Sequence, residues 1–410
     1  MESEAVMISV EEYLEKVLAL VNPTKVTQTT IGEGLGRVLA EDLTARLPVP
    51  PFSNSAMDGF AVRSADLGES VTHLRVVGDI PAGATATPVL AEGQAARIMT
   101  GAPLPAGADA VVQVEKTNQQ PGDVPLPEFV EVEQVSSGAN VRYEGEDIQL
   151  GQVAVERGQV WTPAVAAAAA SVGYGVVRLR ERPRVAVLAT GSELVHAGEK
   201  IEFGQIPDSN SVLIAGLVQE FGGEVVITES VADEPCQFRG ALERAGAVGA
   251  DLIVTSGAVS TGAFEVVRQV LDGQIEFVKV AMQPGKPQAC GTVNLDGRDV
   301  AVLGLPGNPV SVFVSSWVYL RPLLAAFQER QAKWPESTAV TEDGWKSPIG
   351  RLQFIPLHVE NGKARQIHSL GSGSHLVASF HKANALGVIP ADVERVDPGD
   401  TIVIRPLKGL

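Results

Sequence analysis

Apolar runs and glycine turns follow one another regularly between Arg184 and Pro309. Four times in this range a run rich in Val, Ile, Leu and Ala ends in a glycine turn, in the sequences VAVLAT-GSE, DLIVTS-GAVSTG, FVKVAMQ-PGKP and VAVLGL-PGNP. Short apolar runs separated by helical patterns are typical of buried parallel strands. The pattern therefore predicts an α/β domain in which the loops at the carboxyl ends of the strands converge on one ligand-binding crevice.

Helix start signals lie between these runs and outside them. Asp208 is a candidate N-cap for the segment VLIAGLVQEF, and Asp233 is one for the segment QFRGALERAG. Nearer the amino terminus, Ser9 with Glu12 predicts a capping box, and Thr162 followed by proline predicts a helix start. Strand, loop and helix are thus expected to alternate in the α/β region.

Two other regions carry the short, turn-punctuated runs of β structure. From Pro48 to about Gly138 the runs are HLRVVGDI, QAARIMTG and DAVVQVEKT, which predict a small β-rich lobe. Beyond residue 336 the segment RLQFIPLHVE-NG-KARQIHSL predicts a hairpin and TIVIRPL a further strand, so this region is expected to form a small β barrel or sandwich. The fold class is α/β plus β in several domains.

Composition and charge exclude several classes of partner. The 410 residues suggest about three domains by length. The net charge of −17, without a basic tract, argues against nucleic acid or an anionic membrane as partner. Only Cys236 and Cys290 are present, so neither a disulfide framework nor a cysteine zinc site is expected, and the cytoplasm fits. The acidic amino terminus does not resemble a signal peptide, and no apolar stretch predicts a bilayer span.

Glycine turns and nearby cations favour a phosphorylated ligand. Glycine allows close approach of the main chain to an anion, and Lys279 and Lys286 would meet phosphate or another oxyanion as point charges. Arg351 and Ser374 are candidate donors from the carboxyl-terminal domain, although Arg351 would equally suit a surface ion pair. The other candidate substrate-binding positions are Gly191, Glu193, Ser256, Gly257, Gly285, Pro306, Gly307 and Asn308.

Acidic residues lie in loops beside glycine rather than on helix faces. Such carboxylates suit a hard cation such as Mg²⁺, which takes oxygen ligands and bridges to ligand phosphates. Any one of them would also serve as a helix cap or a solvated charge, and Asp208 in particular has the pattern of a cap. The acids concerned are Asp58, Asp147, Glu193, Asp208, Asp233 and Glu265. Hydrolase, P-loop and Rossmann motifs are absent from the sequence, which disfavours those functions.

Several motifs in order resemble the molybdopterin molybdenumtransferase family, the bacterial relatives of the gephyrin E domain. They are NSAMDGFAV, IMTGAPLPAGADAVVQVE, NVRYEGEDI, TGSEL, DSNS, SGAVSTG, PGKP and LPGNPVS, and they cover nearly the whole chain. The resemblance implies a homodimer of four-domain subunits. Its domains would be 1–50 with 139–181 as a discontinuous linker domain, 51–138 as an inserted β-rich lobe, 182–333 as a molybdopterin-binding α/β domain, and 334–410 as a β barrel.

The reaction implied by the resemblance joins molybdate to adenylylated molybdopterin and yields molybdenum cofactor and AMP, with Mg²⁺ assisting. Asp58 and Asp147, from a partner lobe across a dimer cleft, would promote metal insertion. Lys279 and Lys286 would neutralise phosphate charge. The resemblance further assigns molybdate or pterin positioning to Thr100, Arg351 and Ser374, and Mg²⁺ or nucleotide handling to Glu193, Asp233 and Glu265. A molybdopterin adenylyltransferase and molybdoenzyme acceptors are the implied partners.

The chain departs from the usual family pattern at a few positions. The common SGGVSVGD-x-D is replaced by a segment with Ala263 and Glu265, the usual lysine of K-PGKP is Gln283, TGDEL has Ser192, and DGY has Phe60. These changes put the metal geometry in doubt. They also leave two rivals open: a weakened module that holds molybdopterin for partners, and the adenylyltransferase activity of stand-alone molybdopterin-binding domains, against which the additional domains argue.

Overall fold

The chain forms two compact units in the computed structural model, which describes residues 7–122, 124–257, 266–368 and 376–408. We call them the larger and the smaller unit. The larger unit comprises Met1–Thr27, Gly36–Val38 and Leu179–Leu410, and the smaller unit comprises Gln28–Leu35 and Leu39–Arg178. Short strands lie where the chain passes between the units, at Val26–Thr30, Val38–Leu39 and Val176–Arg180.

The smaller unit is built mainly from short strands. Its five-stranded sheet has the order Ala110–Gln113, Gly59–Val62, Gln94–Ile98, Thr72–Ile80 and Phe129–Val132. Two antiparallel pairs join Asn54–Ser55 to Val141–Arg142 and Leu43–Thr44 to Val153–Val155. Short 3₁₀ turns lie at Ser64–Asp66 and Val114–Lys116. The helix Pro163–Ser171 begins where Thr162 accepts a hydrogen bond from the Val165 amide, which confirms the predicted helix start.

A six-stranded sheet organises the larger unit. Its strands in chain order are β1 (Arg184–Thr190), β2 (Glu224–Val231), β3 (Leu252–Ser256), β4 (Ile275–Lys279), β5 (Pro287–Leu295) and β6 (Arg298–Leu305). In space the order is β2-β1-β3-β6-β5-β4, in which β2, β1, β3 and β6 are parallel and β5 is antiparallel to both of its neighbours. A short parallel pair, Leu194–Val195 with Ile206–Pro207, lies beyond β1. The sheet is therefore parallel-rich rather than wholly parallel.

Helices cover both faces of this sheet. The first helix begins with the predicted capping box of Ser9 and Glu12. The helices are Val10–Leu18, Ser209–Glu220, Pro235–Ala247, Val266–Leu271 and a continuous segment that is α-helical over Pro309–Ser315, π-helical over Ser316–Leu320 and α-helical over Arg321–Phe327. One core cluster includes Tyr13, Phe221 and Trp317, and the other includes Phe238 and Leu242.

One described helix, Pro309–Phe327, is long and apolar enough to cross a membrane by length and composition. Its mean hydropathy is 1.5, but 89% of this segment is buried inside the fold. Its aromatic side chains pack within the larger unit, where Trp317 lies edge-on to Phe221 with ring centroids 5.0 Å apart. Burial against the sheet accounts for the apolar composition of this helix.

A closed five-stranded barrel ends the chain. Its order is Leu352–Glu360, Lys363–Gln366, Ser337–Thr341, Thr401–Pro406 and Ala385–Ile389, which pairs back with the first strand. The predicted hairpin is present, with positive φ at Asn361 and Gly362. A short pair joins Trp345–Lys346 to Arg395–Val396, a 3₁₀ helix spans Val377–Lys382, and Met282–Gln283 adds a strand alongside Leu352–Glu360.

The predicted fold class is confirmed, two local expectations are corrected, and one hairpin is present that was not predicted. The run FVKVAMQ is not one strand: β4 ends at Lys279, and Met282–Gln283 joins the barrel sheet instead. The helix Pro235–Ala247 has Glu234 at its N-cap position, so Asp233 does not cap it. The β5–β6 hairpin was not predicted, although its Asp-Gly turn carries the usual signal. The division into four domains remains a prediction.

Candidate functional site

The glycine turns after the parallel strands meet at the carboxyl edge of the six-stranded sheet. In the register, Thr190 lies opposite Val231, and Ser256 lies opposite Leu305. The Gly257 amide donates to the Leu305 carbonyl at 3.2 Å. The strands β2, β1, β3 and β6 therefore end at one level, and the loops that follow them lie side by side.

Gly257 is required by the geometry of this edge. Its φ is +92°, and a Cβ at this position would lie 2.6 Å from the Thr190 carbonyl oxygen. A Cβ on Gly307 would lie 3.4 Å from the Gly257 Cα. The two loops therefore approach so closely that a side chain at Gly257 would displace the backbone. Because neither Gly257 nor Gly307 carries a side chain, the main chain at both positions is open to a ligand.

The loop after β1 is tied to the loop after β2 by reciprocal hydrogen bonds. The Ser192 amide donates to Asp233 Oδ2 at 3.1 Å, and the Asp233 amide donates to Ser192 Oγ at 3.2 Å. This contact holds Glu193, the next residue, at the surface with an exposed side chain. Glu193 and Asp233 therefore lie on two loops that are joined at the sheet edge.

Asp208 serves as a helix cap, which confirms the simpler of its two interpretations. Its Oδ1 accepts from the Ser211 amide at 2.9 Å, and its Oδ2 accepts from the hydroxyls of Ser211 at 2.6 Å and Ser230 at 2.7 Å. Only 4% of Asp208 is exposed. All of these oxygen contacts are directed into the protein, so Asp208 acts on the site by positioning the helix Ser209–Glu220.

Asn210 links that helix to the PGNP turn, and sequence reasoning did not single it out. Its Nδ2 donates to the Gly307 carbonyl at 2.7 Å, while its Oδ1 is buried without a partner among the described residues. The signal was present, because Asn210 lies within the DSNS motif at the start of a helix that follows β1. Its partner on a loop about a hundred residues away is a tertiary feature.

The PGKP turn packs against the helix that follows the PGNP turn. Gly285 has a φ of +106°, and a Cβ there would lie 3.0 Å from Ser315 Oγ. The fully buried Gln288 donates from Nε2 to the Gly285 carbonyl at 2.8 Å and to Ser315 Oγ at 2.7 Å. Gln288 was not predicted as a site residue. It fixes the turn that presents Lys286.

Lys279 and Lys286 lie on the two sides of this turn. Lys279 ends β4, where it is opposite Pro287 of β5, and the Val280 amide donates to the Lys286 carbonyl at 2.8 Å. Both side chains are half-exposed, and neither ammonium has an ion-pair partner among the described residues. In a protein of net charge −17, two such cations at a sheet edge make this part of the surface locally favourable for an anion.

Arg351 reaches the same turn from the barrel. Its Nη1 donates to Gln283 Oε1 at 2.7 Å. In the part of the chain that the structure describes, Arg351 forms no ion pair, so the surface ion-pair interpretation is not realised there. No carboxylate among the described residues offsets the guanidinium beside the PGKP turn.

In the smaller unit, Asp58 and Thr100 form a local pair. Asp58 Oδ1 accepts from the Thr100 amide and from the Thr100 hydroxyl, both at 2.7 Å. These hydrogen bonds, the backbone one first, lower the pKa of Asp58 because they stabilise its charged form. Asp58 also lines a pocket of this unit together with Phe60 and Met99. The pair is a carboxylate held ionised beside a concave surface.

Asp147 is presented from the same unit by backbone pairing. Its amide donates to the Val49 carbonyl at 2.9 Å, and its side chain is exposed. The preceding strand Val141–Arg142 pairs with Asn54–Ser55, just ahead of Asp58. The motifs that carry Asp58 and Asp147 are therefore neighbours, although they are far apart in sequence.

The remaining candidates are distributed as follows. Gly191, Ser256, Pro306 and Asn308 lie at the carboxyl edge with the turns described above. Glu265 and Ser374, as well as Ala263, lie outside the described residues. The structure thus gathers the candidates of the larger unit at one sheet edge and, separately, those of the smaller unit around Asp58.

The donor set at the corner of Glu193 and Asp233 fits Mg²⁺. This ion is held in proteins by one or two carboxylates, with waters and substrate phosphates completing its shell. Asp233 uses Oδ2 to hold the Ser192 amide, and the Glu193 carboxylate is exposed. No group of three or more His, Cys, Asp or Glu side chains suited to a metal occurs among the described residues.

Family models match three consecutive regions of the chain. The MoeA N-terminal region (domains I and II) matches residues 8–173, a probable molybdopterin binding domain matches residues 186–326, and the MoeA C-terminal region (domain IV) matches residues 338–407. The matches follow the order of the β-rich, α/β and barrel regions in the structure.

Whole-chain relatives agree with these matches. Molybdopterin molybdenumtransferase 2 of Mycobacterium tuberculosis is 38% identical over 98% of this chain and 100% of its own length. Molybdopterin molybdenumtransferase of Haemophilus influenzae is 35% identical over the same shares. The crystal structure of the molybdopterin biosynthesis MoeA protein from Pyrococcus horikosii superposes with a TM-score of 0.82 at 32% identity, covering 99% of this chain and 100% of that one.

Proposed function

This chain belongs to the molybdopterin molybdenumtransferase family, an enzyme family of molybdenum cofactor biosynthesis, and from that premise we propose a specific reaction. The enzyme takes adenylylated molybdopterin and molybdate, hydrolyses the phosphoanhydride between AMP and the pterin phosphate with one water, and forms molybdenum cofactor with release of AMP. The observation that carries the proposal is the meeting, at one sheet edge, of glycine turns and two lysines that have no ion-pair partner among the described residues.

Phosphate groups of the substrate are bound at the turns of the larger unit. The close approach of Gly257 and Gly307 leaves room for a ligand against the main chain. Lys279 and Lys286 offset the charge that grows on the AMP phosphate as the linkage breaks, because an ammonium stabilises a developing oxyanion when it is already in place. Their lack of carboxylate partners among the described residues leaves that charge available.

Glu193 and Asp233 would hold Mg²⁺ through carboxylate oxygens. When bound there, the ion would supply positive charge next to the substrate phosphates. Of this chain's own groups, Ser192 positions Asp233 through two hydrogen bonds, so the corner is shaped before any ligand arrives. Glu265 is included in this proposal as a third ligand.

Asp58 acts at the molybdenum end of the reaction. Thr100 keeps its carboxylate ionised through two short hydrogen bonds, and Asp147 lies on the neighbouring segment of the same unit. A carboxylate at this point would accept protons from the pterin thiols and pass them to the molybdate oxygens, which leave as water as the sulfurs replace them. Arg351 and Ser374 would hold molybdate itself as cationic and hydroxyl donors.

The decisive measurement is molybdate-dependent release of AMP. Purified protein with adenylylated molybdopterin, molybdate and Mg²⁺ should release AMP, and omission of molybdate should abolish the release. Asp58→Ala should retain pterin binding and lose most of the turnover. Asp109→Ala is the matched control, since Asp109 likewise accepts hydrogen bonds from an amide and a hydroxyl, those of Ser64, but lies outside the proposed site. Molybdate-independent release by the wild-type protein would refute the proposal.

The proposal includes a homodimer in the cytoplasm, without nucleic acid or membrane partners. Its substrate would come from a molybdopterin adenylyltransferase, and its product would pass to molybdoenzymes. If Asp58 and Lys279 of one site come from different subunits, mixing Asp58→Ala with Lys279→Ala should restore about a quarter of the activity, because half of the randomly formed dimers would carry one intact site. The assay is run at a nucleotide-substrate concentration well below KM, where each variant alone retains little activity. Mixtures that stay inactive would contradict shared sites.

A catalytically weakened holding module remains the second candidate. The uncharged Gln283, where the family pattern has lysine, is the observation that favours it. Tight binding of molybdopterin with no turnover under any metal condition would establish this alternative.

A further inference from the structure

We propose that Gln283 is a positioning residue, which orients the Arg351 guanidinium toward the molybdate subsite; the inference rests on the function proposed above. Its basis is the 2.7 Å hydrogen bond from Arg351 Nη1 to Gln283 Oε1. This bond joins the PGKP turn of the α/β region to the barrel. The residue type at position 283 thereby decides where a cation of the barrel is held.

The main chain fixes both ends of this bond. Met282 pairs in parallel register with Leu352, and Gln283 pairs with Gln353. The Leu352 amide donates to the Ala281 carbonyl at 2.9 Å. Because the two segments are adjacent strands of one sheet, the side chains at 283 and 351 start from a fixed separation, and a single hydrogen bond is enough to select one direction for the longer side chain.

The positive charges around the PGKP turn are the second reason for assigning this role to Gln283. Lys279, Lys286 and Arg351 surround the turn, and none of them has an ion-pair partner among the described residues. A neutral acceptor such as glutamine holds the guanidinium without neutralising it. A carboxylate at position 283 would cancel the charge of Arg351, and a lysine has no acceptor and would repel it. Among these three residue types, glutamine alone provides both orientation and an undiminished positive charge.

Molybdate is the ligand class that fits this arrangement. Arg351 is a planar donor that has used one N–H on Gln283 and retains others, which suits an oxyanion with several acceptor oxygens. Phosphate of the nucleotide has the same acceptor chemistry, so the experiment must separate the two anions.

A double-mutant cycle tests the proposal. Gln283→Met keeps the size of the side chain and removes the acceptor, and we expect it to raise KM for molybdate about tenfold, equivalent to about 1.4 kcal/mol. The values of kcat and of KM for adenylylated molybdopterin should change less than about twofold, which is within about 0.4 kcal/mol. In an Arg351→Met background, Gln283→Met should have no further effect on KM for molybdate, because its role acts through Arg351.

Gln94→Met is the matched control, since Gln94 Oε1 also accepts a hydrogen bond, from the Ala91 amide, in the other unit. Its KM for molybdate should equal that of the wild type. Thermal midpoints of all variants are measured alongside, so that loss of folding is recognised. Any one of three results would overturn the assignment. These are effects of Gln283→Met and Arg351→Met that multiply in the double variant, an unchanged KM for molybdate in Gln283→Met, and a change confined to KM for the nucleotide substrate.

Equilibrium binding keeps this inference separable from the proposed function. The dissociation constant of molybdate is measured by calorimetry, without the second substrate, for the wild type and for the Gln283→Met variant. A wild-type protein that binds molybdate but never releases AMP would refute the proposed reaction while the comparison of dissociation constants still decides the role of Gln283. Equal dissociation constants would refute the role of Gln283 alone.

Discussion

Replacing Gly257 with alanine perturbs the turn at which the ends of β1, β3 and β6 meet. Two costs are expected. An alanine at a φ of +92° is in the left-handed region, which costs about 1–2 kcal/mol. Its Cβ would also lie 2.6 Å from the Thr190 carbonyl oxygen, so the backbone must shift, and overpacking of this kind costs about 1–3 kcal/mol more. Together the loss of stability is about 2–5 kcal/mol.

Gly297→Ala isolates the first of these costs. Gly297 has a φ of +79° in the β5–β6 turn, and a Cβ there would have no atom within 4 Å. This control should lose only about 1–2 kcal/mol. Urea unfolding followed by the fluorescence of the buried Trp317 measures both variants in the same unit. Molybdate-dependent AMP release should be lost in Gly257→Ala and retained in Gly297→Ala. If the two variants lose the same stability, the close approach of the two loops is not what requires glycine at position 257.

Three further outcomes are expected. Thr100→Val removes one donor that lowers the pKa of Asp58, so the pKa of Asp58 should rise. The acid side of the pH–rate profile, where activity falls as Asp58 is protonated, should then move to higher pH. An unchanged profile in pH–rate measurements would contradict this. In terms of stability, the depressed pKa of Asp58 contributes fully above the unfolded pKa, and this contribution is lost as pH falls through the folded pKa. Because Thr100→Val keeps less of this contribution, its free energy of unfolding should fall less between neutral and acid pH than that of the wild type. Asp208→Ala should cost about 2–4 kcal/mol, because it leaves buried hydroxyls without an acceptor, whereas the exposed cap variant Ser9→Ala should cost about 1 kcal/mol in the same urea titration. Lys279→Gln should raise KM for the nucleotide substrate about tenfold at low salt and less at high salt. If the variant and the wild type have the same KM at every salt concentration, phosphate binding by this side chain is excluded.

Local signals in the sequence were sufficient where short-range chemistry decides structure. Capping by Ser9, Thr162 and Asp208 was predicted because a side-chain oxygen two or three residues ahead satisfies amides that every helix leaves open. The turn at Asn361 was predicted because both of its central residues tolerate positive φ. The convergence of glycine turns followed from the rule that parallel strands end at one edge.

Local patterns failed where partners are distant. The run FVKVAMQ looks like one strand because its composition is uniform, yet Met282–Gln283 leaves the six-stranded sheet to pair with Leu352–Glu360. Asp233 looked like a cap, but its carboxylate holds the Ser192 amide of another loop. In both cases a hydrogen-bonding partner remote in sequence competes with the local one, and periodicity carries no information about it.

The amino-acid sequence by itself determined most of the elements, the caps at Ser9, Thr162 and Asp208, the fold class and the family resemblance, because these depend on residue type and spacing along the chain. Only the tertiary structure decided that Asn210 bonds the Gly307 carbonyl, and that Arg351 is held by Gln283 rather than by a carboxylate. These two contacts join residues 97 and 68 positions apart, and they form only when burial of the two core clusters has brought the sheet, its helices and the barrel together.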